Sequence, residues 1–145
     1  RRAKAGNCSG AREQIESGKQ EAGHDRDHRV TVFAWACVGA TVDAARQELR
    51  PLMAPAITSG KLDAQLAPMG ILPQIKELKK SGDIEHFEAA MPDSWIDQLA
   101  IAGTPQDWRA AIDRLVEAGA DTVVLVPLPD KDPQELDRFA RYFLT

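Results

Sequence analysis

Ile101-Ala102-Gly103-Thr104-Pro105-Gln106-Asp107-Trp108, continued through Gly119-Ala120-Asp121 to Thr122-Val123-Val124-Leu125-Val126-Pro127-Leu128, is the stretch that decides the fold. Thr104, Pro105 and Asp107 stand in the N-cap, N1 and N3 positions that satisfy the open N–H groups of a helix start. A helix therefore begins at Pro105. Its apolar residues Trp108, Ala111, Ile112, Leu115 and Val116 recur three and four apart, one stripe facing a sheet, and Gly119 stands where a left-handed C-cap is wanted, so the helix ends near Ala118. Thr122 to Pro127 has no polar alternation, so both faces of that strand should be buried, as in a parallel sheet. Strand, helix and strand make a β-α-β unit and predict a parallel α/β fold.

Working outward, Asp132-Pro133-Gln134-Glu135 repeats the cap chemistry, and Leu136, Phe139, Ala140 and Phe143 supply the stripe of a final helix. Upstream, Val30 to Val38 reads as a strand, β-branched and apolar on both faces, and Leu99 to Ala102 as a third. Gly39-Ala40-Thr41 follows the first strand, with Thr41 placed to cap a helix carrying Ala45, Leu49, Leu52 and Met53, which Pro51 and Pro55 should kink or end. From Pro51 to Pro92 the pattern is broken by Gly60, Pro68, Gly70, Pro73 and Gly82 around short helical runs such as Gln74 to Lys80. That length exceeds a plain βα loop and predicts a helical insertion or lid over residues 51–92. Residues 1–9 read as a loose polar segment, and Ala11 to Ala22 as a weakly amphipathic helix anchored by Ile15. No internal repeat is present.

The 145 residues carry a net charge of −4, without the basic footprint that nucleic-acid binding requires. No run of about 18 apolar residues supports a membrane span, and no secretory leader is recognisable. Cys8 and Cys37 are too few for a disulfide framework or a zinc site, so a reduced, cytoplasmic setting is the expectation.

Pro92 to Pro105, with Ala-Ile-Ala-Gly-Thr-Pro at its end, followed by Ala118-Gly119-Ala120-Asp121-Thr122-Val123-Val124-Leu125-Val126-Pro127, resembles the carboxy-terminal end of the luciferase-like monooxygenase family. Glu21 to Asp27 resembles that family's Ala-Gly-Arg-Asp-Pro turn, with His24 where arginine is usual, and Val30 to Val38 with Thr41 to Arg46 resembles its sixth strand and following helix. The resemblance implies (β/α)₈ barrels using coenzyme F420 or, alternatively, FMN for hydride transfer or monooxygenation. Such a barrel needs roughly 250 residues, so the expected fold is α/β, a half (β/α)₈ barrel of parallel strands with a helical insertion. Its expected partners are a small-molecule substrate and either the missing amino-terminal half of the barrel or a second copy of the chain. A non-catalytic half-barrel that dimerises or docks a partner is the competing reading.

In such barrels the chemistry sits at the carboxyl ends of the strands. That places Gly39, Ala40 and Thr41, then Gly103 and Thr104, then Pro127 to Asp130, with Gly39, Thr41, Gly103 and Thr104 as cofactor-binding candidates. Thr104 and the amides after it could receive an anion, or could simply cap a helix. Lys61, Lys76, Lys79 and Lys80 could meet an acidic substrate or the anionic tail of a deazaflavin, or form a solvated helix face. His24 and His28 have i, i+4 spacing but lie in a turn with no third ligand, so no metal site is assigned. His86 reads as a helix residue. Trp35, Trp95 and Trp108 read as packing, with Trp35 best placed to face the lumen. No Ser-His-Asp triad, P-loop or G-x-G-x-x-G occurs, and no catalytic residue is assigned.

Overall fold

The computed structural model describes residues 6–23, 27–80 and 82–129, together with Pro133, Asp137 and Ala140. Within these, helix α1 (Gly6–Ala22) leads to strand β1 (Thr31–Val38), and α2 (Val42–Thr58) follows it. Four short helices come next: α3 (Asp63–Leu66), α4 (Leu72–Lys80), α5 (Ile84–Ala90) and α6 (Asp93–Leu99). Strand β2 (Ala100–Gly103), helix α7 (Pro105–Glu117) and strand β3 (Thr122–Pro127) follow. The turn residues His24, Asp25 and Arg26, and all but three residues of the expected last helix, lie outside the described residues.

All strand pairings are parallel, and the order is β2-β1-β3. β1 is therefore central. The two strands of the decisive β-α-β stretch are both present but are not neighbours, because β1 lies between them. β1 pairs with β2 through its carboxyl half, Trp35 opposite Ala100 to Val38 opposite Gly103. It pairs with β3 from Thr31 opposite Thr122 to Ala36 opposite Pro127.

Side chains alternate across a strand, and the two faces of β1 meet different partners. Ala34 and Ala36 pack with Ile101 and Trp108, and α7 adds Ala111, Ile112 and Leu115 on that face. Near the amino ends of the strands, Ile15 of α1 joins Val30, Val32 and Val123. Cys37 and the half-buried Trp35 turn the other way, into the larger core built from Leu49, Met53 and Ile57 of α2 with Leu66, Ile75, Phe87, Trp95 and Ile96. The insertion is thus part of the main core. On that same face part of the sheet is open among the described residues: Phe33 is 70% and Val126 38% exposed, with Val124, opposite Phe33, half-buried.

Pro51 and Pro55 do not end α2, which runs on to Thr58. Both prolines are exposed and four residues apart, so the carbonyls they leave without an N–H partner lie on the wet side of the helix. Burial of Leu49, Met53 and Ala54 on the other side, all at 0% exposure, carries the helix past them. At the other end of the chain, α1 starts at Gly6, inside the stretch read as loose. α7 begins with a full capping box and, past its C-cap Ala118, is closed by Gly119, where Gly119 N–H donates to the Val116 carbonyl and Ala120 N–H to the Leu115 carbonyl, a Schellman turn.

Candidate functional site

The carboxyl ends of β1 and β2 bring Gly39, Thr41, Gly103 and Thr104 to one edge. Val38 is paired with Gly103, and the Gly39 N–H donates to the Gly103 carbonyl at 3.0 Å. From there the chain leaves in two directions, into α2 on one face of the sheet and α7 on the other. A divergence of this kind at carboxyl strand ends is where open α/β sheets bind ligands.

Both glycines are imposed by crowding. A Cβ on Gly39 would lie 2.9 Å from both the Ala45 nitrogen and the Thr41 carbonyl. Gly103 has φ +125°, and a Cβ there would lie 2.7 Å from an Asp107 carboxylate oxygen and 2.9 Å from Val42 Cγ2. The edge is closely filled, with backbone brought as near as glycine allows.

Its polar groups are committed locally. The Thr41 hydroxyl accepts from Ala44 N–H at 3.1 Å. The Thr104 hydroxyl donates to the Asp107 carboxylate at 2.7 Å and accepts from Asp107 N–H at 3.3 Å, while Thr104 N–H donates to the same carboxylate at 2.9 Å. The Thr104 hydroxyl, then its N–H, hold the Asp107 carboxyl below its usual range, so it stays ionised. A negative charge already occupies the start of α7, and helix capping outweighs anion binding at Thr104. That charge would repel a second anion at the start of α7. On the sheet face opposite α7, Phe33 and Val126 are exposed and Val124 and Trp35 half-buried.

The lysines lie elsewhere. Lys76, Lys79 and Lys80 are on α4, which packs chiefly on α5 and α2, and line a groove of about 410 Å³ with Pro73 and Glu77. Lys79 donates to the Thr58 carbonyl at 2.8 Å and Lys80 to Glu77 at 2.6 Å, while Lys61 is exposed in the turn before α3. This is the solvated-face arrangement. His86 is an exposed α5 residue, Trp95 and Trp108 are buried, and the Trp108 indole donates across the sheet to the Cys37 carbonyl at 3.1 Å. Among the described residues no group of three or more His, Cys, Asp or Glu could hold a metal, and no helix is long and apolar enough to cross a membrane.

A charged network escaped the sequence reading. Arg46 and Arg50 of α2 meet Asp93 and Asp97 of α6. Each pair has i, i+4 spacing, which the sequence displays, but nothing in the sequence says that the pairs face one another. Arg12 on α1 likewise donates to the Gly119 carbonyl and to Asp121, both at 2.8 Å.

Residues 6–122 match the family model for luciferase-like monooxygenases. The 5,10-methylenetetrahydromethanopterin reductase of Methanolobus tindarius is 32% identical over 117 residues, which are 77% of this chain and 36% of that protein. The solved coenzyme F420-dependent tetrahydromethanopterin reductase of Methanopyrus kandleri superposes with a TM-score of 0.70 at 25% identity, covering 94% of this chain and 40% of that one. The chain thus spans little more than a third of these relatives, and its helices and small parallel sheet match part of the barrel-like reductase fold, as expected.

Proposed function

Because the chain belongs to the luciferase-like monooxygenase family, we propose that it forms the carboxy-terminal portion of a coenzyme F420-dependent reductase acting on a small one-carbon-carrying pterin. The observation that carries this reading is the agreement of two comparisons, one by sequence and one by structure, on reductases of tetrahydromethanopterin compounds, the solved one named as F420-dependent. When bound, the deazaflavin supplies the hydride-transfer chemistry, and the protein positions it.

The part assigned to this chain is steric. Gly39 and Gly103 bring backbone to the strand ends, Thr41 and Thr104 hold the helix starts, and the sheet face around Trp35 and Phe33 offers an apolar wall. Ionised Asp107 turns anions away from the start of α7. The charged tail is then met outside these residues, and no proton-transfer residue is assigned within them. Residues 51–92 act as a fixed cover, since Leu66, Ile75 and Phe87 are anchored in the core. Lys61 and Lys76, both exposed, remain the candidates for an acidic substrate group.

Equilibrium dialysis of the full-length reductase proposed to carry these residues, against F420 and, separately, FMN, tests the assignment. Retention of F420 in excess over FMN is expected. Preference for FMN, or retention of neither, rejects it.

A further inference from the structure

β2 is held in place by something other than its own chemistry. It is Ala-Ile-Ala-Gly, four residues long, bonded among the described residues only to β1, and built mostly of residue types depleted in strands. Yet its last residue, Gly103, forms the candidate site. Besides its packing on α2 and α7, β2 is held by α6, which runs into it without a loop, Ala100 being both the C-cap of the helix and the first residue of the strand. Any slide or rotation of α6 therefore moves the register of β2.

Arg46 and Arg50, one turn apart on α2, grip Asp97 and Asp93, one turn apart on α6. Arg46 Nε donates to Asp97 Oδ1 at 2.9 Å and Nη2 to Oδ2 at 2.7 Å, a two-pronged contact, while Nη1 reaches Asp43 at 2.8 Å and lies 3.8 Å from Asp93. Arg50 bonds Asp93 through Nη2, and its Nη1 donates to the carbonyls of Glu88 at 2.8 Å and Met91 at 2.7 Å. Arg50, 8% exposed, thus joins α2, the end of α5 and the start of α6. Planar, bidentate contacts of this kind fix orientation as well as distance. The apolar contacts of Trp95 and Ile96 hold α6 against the core.

We propose that Arg46 and Arg50 are positioning residues, a two-rung clasp on α6 that sets the register of β2 and so places Gly103 and Thr104 beside Gly39 and Thr41. The clasp touches no ligand, and its importance for function rests on the strand-end reading above.

Residue-resolved amide hydrogen exchange on the folded chain tests it without any cofactor. Arg46→Met and Asp97→Asn should each speed exchange at Gly39 and the β2 amides by about tenfold, leaving the β1–β3 pairing unchanged; Arg46→Lys, which keeps charge but loses the fork, should fall between. Arg12→Met, at the opposite end of the sheet, should leave Gly39 unaffected. Unchanged exchange at Gly39 and β2, or acceleration spread evenly over all three strands, overturns the clasp. Because no ligand enters the measurement, its failure is separate from a failure of the dialysis test.

Discussion

At the scale of single residues, the site edge is governed by Gly103, Thr104 and Asp107. Thr104→Ala removes the hydroxyl that caps α7 and should cost about 1 kcal/mol, read as a shift in the urea midpoint. Gly103→Ala should cost more, because strained backbone alone costs roughly 1–3 kcal/mol and the added methyl meets Asp107 and Val42 at under 3.0 Å. A Gly103→Ala midpoint equal to the parent's would show that the edge relaxes freely. Asp121 makes a second pH-dependent contact beside that of Asp107: its carboxylate accepts from Val30 N–H at 2.7 Å and from Arg12, and the Val30 bond foremost holds the carboxyl below its usual range. A lowered folded value means that the unfolded chain takes up the proton first. Its stabilisation is therefore full above the unfolded value near 3.9 and is lost as pH falls through the lower folded one. Asp121→Asn should flatten the fall in stability below about pH 4, measured by urea unfolding across that range. An acid limb as steep as the parent's would assign it to other carboxylates.

At the scale of elements, α2 is the informative case. Its two prolines predict a break, and the helix continues because its buried side packs into the core while the lost hydrogen bonds face water. Pro55→Ala should then stabilise the chain by about 1–2 kcal/mol, the helix-interior penalty of proline less the entropy it removes from the unfolded chain. A thermal midpoint unchanged or lowered by this substitution would mean that proline is compatible with the local backbone at no cost. The core side of the same helix has no such tolerance, since Leu49 and Met53 are fully buried between α4, α5 and the sheet.

At the scale of the whole molecule, the uncovered face decides the behaviour. Phe33, Val124 and Val126 form an apolar strip on the face opposite α7. The edges of a three-stranded sheet add backbone groups able to pair with another strand. The purified 145-residue chain should self-associate with rising concentration, and Phe33→Lys should reduce that association. Sedimentation at micromolar concentration gives the answer, a compact monomer for the parent chain being the contrary result. The same chain, spanning 36–40% of the reductases it resembles, should show no turnover with F420 or FMN.

By itself the sequence determined the elements whose signals are local. The capping box at Thr104, the start of α7 at Pro105, its end at Gly119, and the three strands follow from side chains acting within a few residues of themselves. That Gly39, Thr41, Gly103 and Thr104 stand at the carboxyl strand ends was legible too, because strand ends followed by Gly and Thr mark where a parallel sheet gives way to helices. Tertiary structure alone decided how these pieces face one another. It placed β1 between β2 and β3, carried α2 past two prolines, and joined Arg46 and Arg50 to acidic residues about fifty positions away. Each of those outcomes depends on which surfaces are buried against which, and burial between distant segments leaves no periodicity or spacing in the chain to read.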